Sequence, residues 1–368
     1  MTATSVPVRR RYIDWARGIA VLIMIQAHAL DAWTRLADRS SRPFGYLMVL
    51  GGFAAPLFLW LAGLGLVLSA ERVFEKTGRR SDAAQAVVRR GAEIFILAFL
   101  FRLQAFIISP GSSPVTLFRV DILNVMGPAM AVAGLMWAIG RNRPGAALIS
   151  GLTATALAMI TPLVRQAGWV SLLPMWTQWY LRPFGDHTTF TLLPWAGFVF
   201  AGTAYGSFLA GAQDARAEGR MVATLSLTGA AVLALGLFTA SRPSIYAVSN
   251  FWTSSPTYFA VRTGVLMLAL GGLYAVTYLG TWAVRPLALL ERFGRNSLFI
   301  YWIHVELVYG YATWVIHHKL PLWGTALGYL VFCAAMFGAI LLRDRVVTWW
   351  RTTRTPKSAP ATPAAARA

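Results

Sequence analysis

The chain is short of several things that a water-soluble protein needs. Charged residues make up only 13% of its 368 residues, where an ordinary soluble domain carries roughly 25%. So little charge cannot cover the remaining apolar surface, which excludes the two or three soluble domains that the length alone would suggest. There is a single cysteine, Cys333, inside an apolar run, so an intrachain disulfide and a cysteine metal site are both excluded. No HExxH or similar spacing is present, and nothing supports a metal. No convincing A-x-A cleavage site follows Arg9, Arg10 and Arg11, so the apolar stretch behind them reads as a first membrane span rather than a signal peptide. The absence of a clear internal repeat weakens an inverted-repeat transporter.

What is present is apolar. The AVILMFWYC set reaches 57% and mean hydropathy is +0.56. Runs of about 20 apolar residues predict membrane-crossing helices, and ten are found: 17–35, 44–70, 91–109, 119–140, 145–164, 190–211, 221–240, 259–281, 297–316 and 321–342. The expected fold is all-α, a polytopic membrane helix bundle of about ten transmembrane helices, embedded in the lipid bilayer of the cell's inner (plasma) membrane. Residues 1–16 form a short leading segment, 17–345 one transmembrane domain, and 346–368 an Ala/Pro/Thr-rich disordered tail. The stretch 165–189 is aromatic and broken by Pro, and reads as interfacial. Of the 33 basic residues, 22 fall in the segments that share a side with the N-terminus and 6 in the opposite loops. The positive-inside rule then places both termini in the cytoplasm. The net charge of +19 is a topology signal, not a nucleic-acid patch.

A charge near the bilayer centre costs about 2.5–3.5 kcal/mol on insertion scales, so buried ionisable residues point to function. The first span holds Asp14, Arg17, His28 and Asp31 on one helical face. From Arg17 to His28 is eleven residues, about 20° from eclipsed and about 16 Å along the axis. This sets a cation at the cytoplasmic mouth and an imidazole in the outer half of the bilayer. A neutral His28 can serve as a general base, with Asp31 orienting it; a structural hydrogen bond is the bland alternative. Arg102, Arg119, Asp121 and Arg262 lie at similar depth and are candidates to meet His28 in one polar cavity, although Arg119 and Arg262 also suit interfacial anchors. In the ninth span, Arg295, Asn296 and Ser297 form a polar start where free N–H groups suit an anion. His304 and Glu306 lie deeper on different faces, and His304 is preferred for the cavity. Pro56, inside the second span, permits a kink.

The run I-D-W-A-R-G-I-A-V-L-I-M-I-Q-A-H, residues 13–28, resembles the opening signature of bacterial membrane acyltransferases: an Asp three residues before Arg-Gly, then His or Asn eleven residues after the Arg. A-A-P-L-F-L-W-L-A-G-L-G-L, R-R-G-A-E-I-F-I-L-A-F-L-F-R-L, F-R-V-D-I-L-N-V-M-G and F-G-R-N-S-L-F-I-Y-W-I-H-V-E-L are similar to that group's later patterns. The nearest likeness is to the heparan-alpha-glucosaminide N-acetyltransferase catalytic-domain group, once classed as a domain of unknown function, with membrane sugar O-acyltransferases as broader relatives. The likeness covers about residues 11–345. It implies transfer from cytoplasmic acetyl-CoA or another acyl-CoA to a hydroxyl or amine of a sugar or envelope glycoconjugate. His28 falls at the family's catalytic His or Asn. The loop Thr34 to Pro43 lacks the further His of the lysosomal enzyme, so direct transfer is expected here.

Joined to the residues, that likeness gives a site. Catalytic roles fall to His28, Asp31 and Arg102. Acyl-CoA is held by Asp14, Arg17, Arg89, Arg90, Arg295, Asn296 and Ser297, and the acceptor by Arg119, Asp121, Arg262 and His304. The rival reading is a transporter of a small anionic or acyl-bearing solute, which the same buried charges would serve. A homodimer is left open.

Overall fold

The computed structural model describes residues 9–108, 113–279, 284–285 and 287–354. Residues 1–8 of the leading segment and 355–368 of the expected tail therefore lie outside the described residues. The chain is an all-α, multi-pass membrane bundle, with no strand among the described residues. Its helices are α1 (Arg11–Trp33), α2 (Arg42–Gly51), α3 (Ala54–Thr77), α4 (Arg80–Ile108), α5 (Ile122–Ile139), α6 (Arg143–Gln166) and α7 (Met175–Leu181). These are followed by α8 (Leu192–Leu209), α9 (Ala215–Ala240), α10 (Pro256–Val276), α11 (Leu287–Arg295), α12 (Ser297–Tyr309) and α13 (Leu322–Arg354). Counting α2 and α3 as one, nine helical stretches among the described residues are long and apolar enough to cross a membrane.

The differences from the ten expected spans have local causes. The second span is two helices that break at Gly52 and Phe53. Pro56 sits in the first turn of α3, four residues after Gly52, whose carbonyl it cannot bond, so the break falls where this proline permits a kink. The ninth span stops at Tyr309 because Gly310 adopts an extended conformation (φ −86°, ψ −170°), and a 3-10 turn over Tyr311–Ile316 follows. α12 thus has 13 residues and is about 20 Å long. α13, in contrast, runs to Arg354, well into the segment read as disordered. Its 33 residues extend about 50 Å. The stretch 165–189 is broken into 3-10 turns and α7, and does not cross.

Polar residues tie each end of the bundle. At the N-terminal end, Arg10 and the Tyr12 hydroxyl both reach Glu218 at the start of α9, at 3.1 and 2.6 Å. Arg143 at the start of α6 pairs at 3.0 Å with Glu71, buried near the end of α3. Arg80 donates to the Trp137 carbonyl at 2.9 Å and lies over that ring. At the far end, Arg35 N–H bonds the Leu320 carbonyl, and Asp38 Oδ2 accepts from Leu322 N–H at 2.8 Å. Asp38 thereby caps α13 and clamps it to the α1–α2 loop. That bond, with the Arg35 guanidinium, holds the Asp38 carboxyl below the usual carboxylate range.

α1 is the hub, packed by α2, α3, α10, α11, α12 and α13. Small residues let backbones approach. A side chain at Gly202 of α8 would strike the backbone of Trp60 on α3, and one at Gly63 would strike Val199. Gly18 and Gly294 do the same for α1 and α11, against Leu290 and Asp14. That close crossing fixes the depth at which Asp14 and Arg17 sit. Outward-facing Leu148, Leu152, Leu227, Leu330 and Val331 remain exposed, as a lipid-facing surface requires.

Candidate active site

The unbroken helix α1 carries the two poles of the site. Near the N-terminal end, Arg17 opens onto a cavity of about 780 Å³ whose lining includes Gly65, Asp82, Arg89, Arg90 and Glu93. Gly65 leaves room for the guanidinium, whose Nη2 would lie 2.8 Å from a Cβ at that position. Asp14 is buried and paired with Arg9 at 2.7 Å and with Arg17 at 3.4 Å. Both of its oxygens are thus engaged by arginines, Oδ2 by Arg9 and Oδ1 by Arg17. Arg89 and Arg90 are exposed and share Glu93 as their ion-pair partner.

The polar start of α12 lies elsewhere. Arg295 pairs with Glu291 at 3.8 Å, and Asn296 accepts from Arg343 at 2.7 Å and donates to the Arg292 carbonyl. None of Arg295, Asn296 and Ser297 lines the cavity. Asn296 makes no side-chain cap, because its amide is engaged by α11 and α13. The Asn296 side chain is therefore engaged, and this helix start lies away from the cavity at Arg17.

At the other pole, His28 Nδ1 lies 2.9 Å from His304 Nε2. The rings are nearly parallel, at 10°, with centroids 5.0 Å apart. His304 is fully buried, and its Nδ1 lies 2.8 Å from the Ile300 carbonyl and 3.0 Å from that of Tyr301. A carbonyl only accepts, so His304 Nδ1 carries the proton. In the neutral ring its Nε2 is then the acceptor, and His28 Nδ1 must be the donor. The chain of bonds leaves His28 Nε2 with a free lone pair, the form a general base needs. His304 has no surface left for an acceptor; it faces His28 instead.

Asp31 does not touch the imidazole. It accepts from the Tyr309 hydroxyl at 2.8 Å and lies 3.9 Å from Arg39. Tyr309 packs edge-on against His28, with centroids 5.6 Å apart. Asp31 therefore orients Tyr309, and reaches His28 only through that ring and through its charge. Asp121 is the other carboxylate whose charge acts on His28. It is ion-paired with Arg102, which joins the end of α4 to the start of α5. Asn124 accepts from the Asp121 N–H at 2.9 Å. Arg119, two residues before Asp121, is half-buried and donates to the Thr189 hydroxyl. Arg262 is buried among Tyr258, Phe53 and Trp195, on the far side of the α2–α3 break from α1. His28 and His304 are thus in contact, the charge of the Arg102-paired Asp121 reaches His28, and that of Arg119 reaches Tyr309; Arg262 lies across the α2–α3 break.

Several contributors were not marked by the sequence. Tyr309 looks like any aromatic in an apolar run, and the Trp302–Gln104 bond joins residues 198 positions apart. Among the described residues, no group of three or more His, Cys, Asp or Glu could hold a metal.

The family profile described as heparan-alpha-glucosaminide N-acetyltransferase, catalytic, matches residues 9–241, more than half of the chain. The chain belongs to that family. Its membership makes it a membrane acetyltransferase by class, and the matched segment holds both Arg17 and His28. No curated protein sequence matches the chain. The acetyltransferase segment ends within the α9–α10 loop, so His304 and the other α12 residues beside His28 lie beyond the match.

Proposed function

We propose that the chain moves an acetyl or other acyl group from cytoplasmic acyl-CoA, across the membrane, to a hydroxyl or amine of an acceptor on the far side, a sugar or cell-envelope glycoconjugate. The observation that carries this reading is α1 itself: one helix face joins the cationic cavity at Arg17 to the His28 base. The excess of basic residues on the N-terminal side supports a cytoplasmic location for that cavity and for both termini, in the inner membrane.

The residues suit an acyl-CoA donor. Arg17, Arg89 and Arg90 would hold its phosphates. The Arg89 and Arg90 pairs with Glu93 are solvent-exposed and so weak, and phosphates can displace them. The thiol arm would run along α1 toward His28. There the acceptor's oxygen or nitrogen attacks the thioester carbonyl carbon while its proton passes to His28 Nε2. The tetrahedral adduct then collapses, the C–S bond breaks, and the imidazolium returns the proton to the leaving thiolate. The Arg102–Asp121 pair keeps the cluster near neutrality beside the charge that develops.

The test is release of free CoA thiol from acetyl-CoA by the purified, reconstituted protein, offered sugars and amino sugars as acceptors. His28→Ala should fall to background while acetyl-CoA binding persists. Wild-type rates in that variant would sink the mechanism. Solute uptake with no thiol release would favour the transporter.

A further inference from the structure

Arg262 lies six residues into α10 and is 6% exposed. Among the described residues, no hydrogen bond and no ion pair reaches its guanidinium, and its Nε is sealed from solvent without a partner. The other deep arginines are neutralised or bonded: Arg17 by Asp14, Arg102 by Asp121, and Arg165 by Thr191 and Thr253. Aromatic faces surround Arg262, and the end of α2, with Gly52 and the Val49 and Met48 carbonyls, lies beside its guanidinium without a hydrogen bond to it. Tyr258 lies 3.9 Å from the guanidinium carbon, Phe53 5.5 Å and Trp195 5.9 Å. A Cβ on Gly52 would sit 2.6 Å from Nη2. Ring faces attract a cation and hold it flat, but they leave its N–H edges unfilled. Those edges are the part of arginine that matches an oxyanion in two parallel bonds.

The position relative to the base is equally specific. Gly51 packs against Ala27, the residue before His28, while its neighbour Gly52 packs against Arg262. Gln26 also offers a buried Oε1 with no partner, 3.5 Å from the Cβ that Gly51 lacks. One Gly-Gly step therefore separates an unneutralised cation from the helix turn that carries the base. The break between α2 and α3 places it there.

We propose that Arg262 is an oxyanion-binding point, taking a carboxylate or phosphate group of the molecule that receives the acyl group. The term acceptor rests on the acyl-transfer reading; the anion site does not. An anionic water-soluble acceptor and an anionic lipid headgroup share this chemistry.

The test is direct binding, which requires no acyl chemistry. Arg17, Arg89 and Arg90 are first replaced by Gln, so that phosphate cannot enter the cavity at Arg17; binding at other basic surfaces does not depend on Arg262. Thermal unfolding in neutral detergent is then followed against inorganic phosphate and acetate, with chloride holding ionic strength constant. A saturable rise of roughly 2–4 °C that disappears on adding Arg262→Gln, and returns in part with Arg262→Lys, is expected. A second arm compares nanodiscs of phosphatidylcholine with and without phosphatidylglycerol. Stabilisation by the anionic lipid that depends on Arg262 and is absent with soluble anions assigns the group to a headgroup; the reverse assigns it to a soluble acceptor. No Arg262-dependent shift in either arm overturns the proposal. So does a drop in melting temperature for Arg262→Gln that is the same with and without anion, since a purely structural cation would give that result. Failure of acetyl-CoA turnover with the anion shift intact would count against the acyl-transfer reading alone.

Discussion

His304 offers the sharpest test of how the base is set. Its Nδ1 is fixed as a donor by the Ile300 and Tyr301 carbonyls, so its Nε2 must accept from His28. Replacing His304 with Ala leaves the His28 Nδ1–H with no acceptor on that side. An unsatisfied buried donor costs about 1–3 kcal/mol, and that cost falls on the one tautomer that presents Nε2 as a base. At 1.36 kcal/mol per decade, kcat should fall roughly 5- to 150-fold. The KM for acetyl-CoA should not move, because Arg17 lies about 16 Å away along α1. His304→Gln can still accept through its amide oxygen and should recover part of the lost kcat. The assay is initial-rate thiol release at saturating acceptor, with unfolding temperatures measured in parallel. The reasoning is refuted if His304→Ala turns over at the wild-type rate, or if the Gln and Ala variants lose equal kcat at equal stability.

Other expectations follow from the same geometry. Arg17→Ala removes a charged partner of the donor phosphates, worth about 1.5–3 kcal/mol, and should weaken acetyl-CoA binding at least tenfold in a thermal-shift titration; an unchanged curve would place the donor elsewhere. Gly202→Leu drives a side chain into the backbone of Trp60 and should cost about 1–3 kcal/mol or more, seen as early unfolding, while Gly168→Leu, into open space, should be silent. Asp38 has its carboxyl held below the usual range by Leu322 N–H and Arg35. Its contribution is therefore fully present above the unfolded carboxylate pKa of about 3.9 and is lost as pH falls through the lower folded value. Wild type should show extra acid lability below about pH 4 that Asp38→Asn lacks, having lost that contribution at every pH; equal acid profiles would remove Asp38 from the clamp.

Much of the architecture could be read from hydropathy, because a membrane span must be long and apolar whatever it packs against. Gly310 could not be recognised as a stop: it lies within V-E-L-V-Y-G-Y-A-T-W-V-I, where composition continues unbroken and only backbone conformation ends the helix. The Arg17–His28 stripe was legible because both residues belong to one helix and share its period. The His28–His304 bond was not, since it depends on which of many helices becomes the neighbour of α1. The same limit misplaced Asp31. One turn from His28 in sequence, it was captured by Tyr309, 278 positions away. Arg295, Asn296 and Ser297 read as a free helix start, but a backbone carbonyl of α11 and the Arg343 side chain of α13 engage Asn296 there.

The shortness of α12 has a mechanical consequence for the bilayer. Gly294 of α11 packs on α1 at Asp14 and the last residue of α12 bonds Asp31, so α11 and α12 together run along α1, α12 with only 13 residues. Its length of about 20 Å falls short of the roughly 30 Å of hydrocarbon in a typical membrane. Lipids beside it must thin or tilt to match. In the proposed reaction, an acceptor anchored on the far side would then have less oil to cross before it meets His28. Membrane thickness then becomes a determinant of rate: shorter-chain lipids that match α12 should lower the cost of approach, and longer-chain lipids should raise it.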